Sequence, residues 1–569
     1  MAISLLDALY IPFTSALLGV LFLTSISPLE FERYMFHYLT FYTFIFLGRV
    51  CVYGFGPGRS FVTAFAQTSL VALSFNVSLF VSIAVYRLFG HRCRKFPGPV
   101  LARLTRFYVA YLNAKGYQFY KELGELHERY GDIVRTGKSN VRRYWPREIS
   151  ILDKAAIPAI YGPNTECRKS TWYGQSGNDP NKVSINMTRD TKQYRLRRRA
   201  WDRGFSTKAL ASYQPRVKSK ADVLIRQLYG STGSSVDITK WSMLFAFDIM
   251  GEVGFGKDFN SLASGQEHPA IKGIHEHIAV LGVLQTVPWF LNLLGTIPGA
   301  AASFSEFFSV CEKELEEKER TWNSEKEPQD IVSWLLKAIK DKDVSASPTR
   351  ESLTDDSRVV IIAGSDTTAN TLANVLFYLA KHPAVQRKLR NLVDTAIPEG
   401  YTTWNYEKIK TITYIDDIIN ETLRLKPPII QGGSRETPDS GIRIGDTYIP
   451  GNVNVSVPYL LIQRDPRWWK HPNDFIPERF GERRTEMGTD DAPFFPFQLG
   501  MHACAGKNLA FLSLRTAVSA IVQNFVVDFA PGETGEEFDE RFRDTFLMTL
   551  LPLQLQFTPR AEVHANIDS

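Results

Sequence analysis

No two of the five cysteines in this chain, Cys51, Cys93, Cys167, Cys311 and Cys504, lie close enough in sequence to form a CxxC metal site. Their odd number and wide spacing also exclude a disulfide framework, which fits a reducing compartment around the globular part. A glycine-rich dinucleotide turn is missing as well. The glycines of Gly54 to Gly58 follow an apolar run and not a strand, so the chain carries no flavin or nicotinamide fingerprint of its own. From Val100 onward there is no internal repeat and no low-complexity tract. Charge of one sign is scarce: 66 basic residues against 60 acidic ones leave a net charge of +6. That balance suits basic patches facing a membrane or an acidic partner and gives no sign of nucleic-acid binding. What is present is ample apolar material, 44% of 569 residues, enough for one large domain with extra material or for several domains.

Charge is missing altogether from Ala8 to Leu29 and from Ser60 to Tyr86. Each run reaches the roughly 20 apolar-dominated residues that cross a bilayer, and both are read as transmembrane helices. Between them Tyr34 to Phe55 is apolar and aromatic but broken by Arg49, which fits a third span or a segment lying on the membrane. The first run is too long for a signal-peptide core and has no basic start. Arg87, His91, Arg92, Arg94 and Lys95 follow the last run, a basic cluster that stays on the cytoplasmic side. Phe96, Pro97, Gly98 and Pro99 then form a stiff hinge. Residues 1–95 are therefore expected to be a membrane anchor of two or three helices, and residues 96–569 a separate globular domain.

In that domain helix dominates. Tyr117 to Tyr130 and Lys208 to Leu228 have apolar residues at helical spacing. Glu312 to Lys326, rich in both charge signs, suits an exposed helix and loop. Ile442 to Pro450, with Gly445-Asp446 as a turn, reads as a pair of strands. Strands are expected to be few and clustered late, near Tyr448 to Pro458.

Four stretches carry chemistry. Residues 494–510 read FFPFQLGMHACAGKNLA, with Cys504 between Gly500 and Gly506 just ahead of a predicted helix from Lys507 to Phe525. A cysteine there faces unpaired N–H groups and the positive end of the helix dipole, which favour the thiolate, the metal-binding form. Alone, it could equally be a small buried core residue. Residues 194–206, YRLRRRAWDRGFS, put Tyr194 and Arg198 on one helix face, while Arg195, Arg197 and Arg199 cannot all turn inward. Residues 359–372, VVIIAGSDTTANTL, interrupt an apolar helix with small residues, an acid and alcohols. Such hydroxyls can simply bond back to their own helix. Residues 420–428, NETLRLKPP, place Glu421 and Arg424 three apart, as a surface ion pair of little consequence or as part of a buried network.

Taken in chain order, with the cysteine loop last, the four stretches closely resemble the cytochrome P450 family, over about Lys95 to Pro559, with the general likeness nearest to membrane-bound fungal members. DIVSWLLKA at Asp330 and HPAVQRKL at His382 add weaker likenesses. Phe497, Gly500, His502, Cys504 and Gly506 match the haem-binding loop, although the family most often has Arg where His502 stands. The resemblance implies a mainly α fold with a minor β component, the cytochrome P450 fold, behind transmembrane helices more numerous than the family's usual one. It implies haem b (heme b) with Cys504 as axial iron ligand. Tyr194, Arg198, His502 and Arg435 of SRETP would meet the propionates, Tyr194 replacing the usual Trp or His. Phe497, Gly506 and Ala363 would lie against the macrocycle, with Gly364 also permitting its close approach. Asp366 and Thr367 would deliver protons to bound oxygen. Glu421, Arg424 and Arg479 of FIPERF would form a buried network beneath the haem.

The implied activity is a monooxygenase that inserts one oxygen atom from O2 into a lipophilic small molecule, terpenoid-like and of secondary metabolism. Electrons would come from NADPH through a membrane-bound cytochrome P450 reductase, with cytochrome b5 as a second donor. The enzyme would sit in the endoplasmic reticulum membrane with its catalytic domain facing the cytoplasm. Expected pocket walls are Thr171 to Asn178, Ile278 to Pro298, Ile361 to Thr368, Ile429 to Gly433 and Phe546 to Leu550, all without a fixed counter-charge. Two other classes stay open: a haem-thiolate isomerase or peroxide-rearranging enzyme, against which Asp366 and Thr367 speak, and a non-catalytic haem-binding sensor. A transporter fits poorly with spans confined to one end.

Overall fold

Each of the three apolar N-terminal stretches is a helix in the computed structural model: Leu5–Ile26, Met35–Gly54 and Phe61–Val85. The structure describes residues 5–26, 35–56, 60–137, 147–174, 179, 181–269 and 302–560, with scattered positions between 280 and 297. Ser15 Oγ donates to the Val71 carbonyl at 2.9 Å and Ser78 Oγ to that of Ala16 at 2.7 Å. A side chain at Gly19 would overlap Ser78. On the other flank Asn76 Nδ2 donates to the Tyr42 hydroxyl at 2.7 Å, and the rings of Phe46 and Phe65 meet edge to face. These pairings make the first and third helices parallel and the second antiparallel to both. Small residues and interhelical hydroxyl bonds are what hold helices together where no water drives apolar surfaces into contact. The stretches long and apolar enough to cross a membrane are Met35–Gly54 and Phe61–Gly90; the described apolar part of the first helix, Pro12–Phe22, is shorter. The second run is thus a continuous helix despite Arg49, whose guanidinium lies over the Tyr53 ring at 5.0 Å.

Past a π-helical turn at Tyr86–Gly90 the chain enters the hinge. Arg87 donates to the Leu104 carbonyl, and the Arg135 N–H donates to Pro97 O at 2.8 Å. The hinge is therefore docked on the globular domain through its backbone.

The domain is built around a 32-residue helix, Arg350–Lys381, started by Thr349, whose side chain accepts the Ser352 N–H. Its second half, from Ala369 to Ala380, is buried on all sides, as an all-round apolar helix must be. Ile238–Met250 packs along it, and Lys507–Asn524 packs against it and against Thr207–Gly230, Pro383–Ala396 and Thr413–Leu425. The predicted helices lie where expected, at Phe119–Tyr130, Thr207–Gly230 and Ala302–Thr321.

The strands depart from expectation. Ile442–Ile444 and Thr447–Ile449 do pair around Gly445, whose φ of +53° suits glycine. The largest sheet, however, joins early strands to late ones. Its order is Ile133–Arg135, Glu148–Ile151, Asn454–Ser456, Arg435–Glu436, Arg168–Lys169, with Glu148–Ile151 parallel to Asn454–Ser456. The minor β component is not confined to the later part of the chain. The edge pairing sets Lys169 opposite Arg435, and that register creates the cluster described next.

Candidate active site

Cys504 lies three residues before the helix Lys507–Asn524, and its N–H donates to the Phe497 carbonyl at 2.8 Å, closing the loop. Gly500 has φ +60°, and a Cβ there would sit 2.7 Å from the Tyr161 carbonyl oxygen; only glycine fits. Gly506 differs. Its φ is −83°, and an added Cβ would meet the protein only at ordinary contact, 3.7 Å from Phe205. Nothing in the chain requires glycine at 506, which leaves room beside the thiol for a flat group. The Phe497 ring packs against Phe511, 5.7 Å between centroids.

Burial raises the Cys504 thiol pKa, while the N–H groups of Gly506 and Lys507 and the Arg198 guanidinium pull it down. Helix N–H groups alone were expected to favour thiolate; desolvation by the surrounding protein acts the other way, although Cys504 itself is exposed. Coordination to a metal would deprotonate the thiol outright. No group of three or more His, Cys, Asp or Glu side chains suited to a metal exists among the described residues. A metal at Cys504 must therefore bring its other ligands with it, as an iron porphyrin does.

Around this loop cations collect, and among the described residues the buried ones, Lys169 and Arg435, meet no carboxylate. The Tyr194 and His502 rings meet edge to face at 4.4 Å, and Lys169 Nζ lies 4.3 Å above the Tyr194 ring. Lys169 is buried and donates only to the carbonyls of Ile185 and Asn186, at 3.0 and 2.7 Å. Buried Arg435 reaches only Ser434 O and Gln498 Oε1, at 3.1 and 2.8 Å. Arg198 donates to Ala503 O at 2.6 Å and to the Tyr194 hydroxyl at 3.2 Å, with Asp202 holding its Nε from the outer side at 2.6 Å. Desolvation, then Lys169, Arg435, Arg198 and Arg195, push the His502 pKa down to about 2, so it is neutral. Its Nδ1 is buried with no partner among the described residues. A buried polar atom and buried cations in this state call for an anion. The two carboxylates of haem fit that need, and the residues present fit the group.

A family model described as Cytochrome P450 matches residues 99–557. The chain belongs to the cytochrome P450 family. It is 40% identical over 510 residues to a cytochrome P450 monooxygenase, orf5, of Eupenicillium brefeldianum, covering 90% of this chain and 98% of that protein. It is 34% identical over 498 residues to the monooxygenase FCK2 of Fusarium pseudograminearum, 87% of each chain. Tryprostatin B 6-hydroxylase of Aspergillus fumigatus is 30% identical over 497 residues, 87% of this chain and 86% of that one. A crystal structure of a cytochrome P450 (CYP102L1) superposes with a TM-score of 0.65 at 20% identity, covering 79% of this chain and 96% of that chain; the fold is shared. The chain is thus a P450 monooxygenase, an oxidoreductase with a haem-thiolate cofactor.

In this P450 the network beneath the cysteine loop is complete in itself. Glu421 receives Arg424 through both oxygens, at 2.7 and 2.8 Å, and Arg479 at 2.9 Å. All three side chains are fully buried. The spare donors of the arginines go to carbonyls of residues 463 to 474, such as Pro472 at 2.6 Å. Trp469 lies against both guanidiniums, 5.0 and 5.9 Å from its ring, and meets Phe494 at the head of the loop.

On the long helix Thr367 Oγ1 donates to Ala363 O at 2.7 Å, and Ser365 and Thr371 bond back in the same way. Local back-bonding, one of the two sequence readings, is what the hydroxyl proton does; the oxygen keeps lone pairs to accept with. Ala363 is exposed and Asp366 buried. Gly364 turns away from its expected role: a side chain there would overlap Met250, so it serves packing against Ile238–Met250. Arg197 also serves structure, pairing with buried Asp356 at 2.6 Å, whereas Arg195 and Arg199 are exposed.

Sequence reading missed Lys169 and Gln498. Nothing local marks a lone lysine as buried. A φ of +62° at Gln498 is a strained, functional-looking feature, but it is invisible before folding. Two expected pocket walls meet: Phe546 stacks on Trp172 at 5.0 Å. The Met548 N–H donates to Pro428 O at 2.8 Å and Asn370 Nδ2 donates to Met548 O at 2.6 Å, contacts just outside the expected segments 429–433 and 361–368. Residues 175–178 and most of 278–298, also expected as walls, lie outside the described residues.

Proposed function

We propose that this P450 hydroxylates a lipophilic secondary metabolite, terpenoid-like in bulk and polarity, at a membrane of the endoplasmic reticulum. The reading rests on one observation above all: a thiol just before a helix N-terminus, set beside buried cations that seek an anion. When bound through the Cys504 thiolate, haem b would supply the activation of O2. Cys504 is the iron ligand. Arg198, Arg435, Lys169, Tyr194 and His502 hold the propionate edge, and Phe497, Gly506 and Ala363 flank the ring. Thr367 offers acceptor lone pairs beside Ala363, and buried Asp366 on the same helix relays protons from solvent. A proton-delivering pair is what an oxygenase needs and an isomerase does not. Trp172, Phe546 and the Ile429–Gly433 segment present apolar surface, which suits an uncharged substrate. The name tryprostatin B 6-hydroxylase on one relative supports hydroxylation as the reaction type.

Residues 1–95 act as the anchor, with all three helices crossing because the first runs parallel to the third. The globular domain faces the cytoplasm beside the basic cluster at Arg87 to Lys95. Exposed Lys192, Arg195, Arg199 and Lys507 form the basic face that suits an acidic reductase, or cytochrome b5, as electron donor.

The test is co-expression with an NADPH-dependent reductase, candidate lipophilic substrates and product analysis. The wild type should give the thiolate-type spectrum of the reduced carbon monoxide adduct and a product one oxygen heavier. Cys504→Ser should lose both. Thr367→Ala should go on oxidising NADPH while releasing more peroxide and forming less product. An unchanged spectrum in Cys504→Ser would overturn the ligand assignment, and unchanged coupling in Thr367→Ala would overturn the role of that hydroxyl.

A further inference from the structure

A cavity of about 520 Å³ opens on the far side of the Glu421 network, separate from the cysteine loop. Its size falls within the roughly 300–1,000 Å³ of ligand pockets. It lies between the C-terminal end of the long helix, at Tyr378, Lys381 and His382, and the start of Phe119–Tyr130, at Tyr120. Two aromatic pairs form its sides. Tyr378 lies flat on Phe475, with centroids 4.2 Å apart and planes 3° from parallel, and Tyr120 lies flat on Phe542 at 4.9 Å and 6°.

On the inner side of the cavity buried Lys426 and half-buried Arg464 have one carboxylate between them, Asp539. That carboxylate serves two ammoniums, Lys381 at 2.9 Å and Lys426 at 2.6 Å. Arg464 makes no ion pair among the described residues, although Asp539 lies close enough to act on its charge. Its Nε and one terminal nitrogen both donate to the Leu425 carbonyl, so the other terminal nitrogen is unspent among the described residues. Desolvation lowers the Arg464 pKa, with the Tyr378 and Tyr120 phenols close enough to oppose it. The cavity's other acids, Asp474 and Glu540, are exposed at the rim, where water screens them. A guanidinium fork at the end of an aromatic-sided slot matches a carboxylate on a planar ring.

We propose that this cavity is a second small-molecule site, outside the haem pocket, that takes a planar aromatic carboxylic acid with its carboxylate on Arg464. The occupant would lie beside Lys426, two residues before Pro428, and beside the helix Glu536–Glu540, which leads into the hairpin carrying Phe546.

The test uses full-length holoenzyme in lipid nanodiscs with the haem pocket blocked by saturating 1-phenylimidazole. Binding of 2-naphthoate is measured by calorimetry and saturation-transfer NMR, against the neutral isostere 2-naphthylmethanol. One naphthoate should bind per chain, at least tenfold tighter than the alcohol. Arg464→Gln should erase that preference. Asn473→Trp, at the exposed mouth, should block both probes while leaving the haem spectrum unchanged; it decides the matter if Arg464→Gln does not fold. Absence of saturable naphthoate binding overturns the proposal. So does binding equal for acid and alcohol in the wild type, or binding that persists in Asn473→Trp.

Discussion

Two buried clusters of positive charge stand on either side of the cysteine loop, and they are built on opposite plans. Beneath it, Arg424 and Arg479 share Glu421, and their remaining N–H groups end on carbonyls. Both guanidiniums there reach a carboxylate within the chain, and their other bonds end on backbone carbonyls. Beside it, Lys169 and Arg435 are as deeply buried yet touch no carboxylate. A network that closes on itself is a structural part. One left open by a charge is a place where something else belongs. The expensive item in both is the same, a cation taken out of water. The difference lies in which molecule returns the compensating charge.

The largest effect should come from opening the closed network. Glu421→Ala would leave two buried guanidiniums uncompensated, and breaking such a pair costs about 3–5 kcal/mol. A domain holds about 5–15 kcal/mol in all, so the variant should accumulate poorly, bind little haem and melt far below the wild type. Normal melting with normal haem content would mean the network carries no such load. Replacing the pair Glu421 and Arg424 together by apolar residues should recover part of the loss, since charge and partner then leave together.

The open cluster should respond with the opposite sign in the apoprotein. Lys169→Met removes a buried ammonium whose pKa is held well below its usual value, by desolvation first and by Arg435 second. A depressed pKa means that the folded state prefers the neutral amine. Measured against the neutral form, stability is lost as pH falls through the folded value, so near neutral pH the lysine burdens the empty protein. The variant apoprotein should melt at or above the wild-type temperature. Its holoenzyme should lose haem to apomyoglobin faster, by about 10- to 100-fold if one charge-assisted hydrogen bond worth roughly 1.5–3 kcal/mol is lost. With the dimethyl ester of haem, whose propionates carry no charge, wild type and variant should retain the group equally. Faster loss of the ester as well would show that Lys169 acts through packing.

The contrast also marks how far the sequence could be read. Spacing put Glu421 and Arg424 on one helix face and Cys504 before a helix start, because those relations are local and a helix is periodic. Arg479 lies more than fifty residues on, and only the family resemblance joined it to the pair. Gly364 was assigned to the ring because its real neighbour, Met250, comes from a helix far upstream. Lys169 had no signal at all; it is buried because a two-residue edge strand pairs with Arg435. The membrane stretches were legible from missing charge alone. Which of them are long enough to cross depended on the unbroken helix through Arg49, where one charge had weighed too heavily in the reading.

The smallest effect sharpens the comparison within a single helix. Asp417 precedes Glu421 by one turn, and both are buried, but no cation closes on Asp417. Desolvation raises its pKa to about 7, with Asp416 and Glu478 adding to the shift and Lys388 only partly opposing it. Lys388 is already committed to Glu478 and Glu482, at 3.0 and 2.9 Å, and Asp416 to Arg515 at 2.6 Å. A carboxyl whose folded pKa lies above its unfolded value contributes stability that is fully present below the unfolded value and is lost as pH rises through about 7. Asp417→Asn keeps the shape and cannot ionise. Its melting temperature should exceed the wild type's by more at pH 8 than at pH 5, the difference growing by about 1 °C for each roughly 1 kcal/mol recovered in a domain of this size. Glu421→Gln, one turn along, should lower the melting temperature at both pH values, because there the charge is the partner that two arginines need. If Asp417→Asn instead lowers stability at pH 8, the carboxylate has a cation partner in solution, and the helix carries two closed sites.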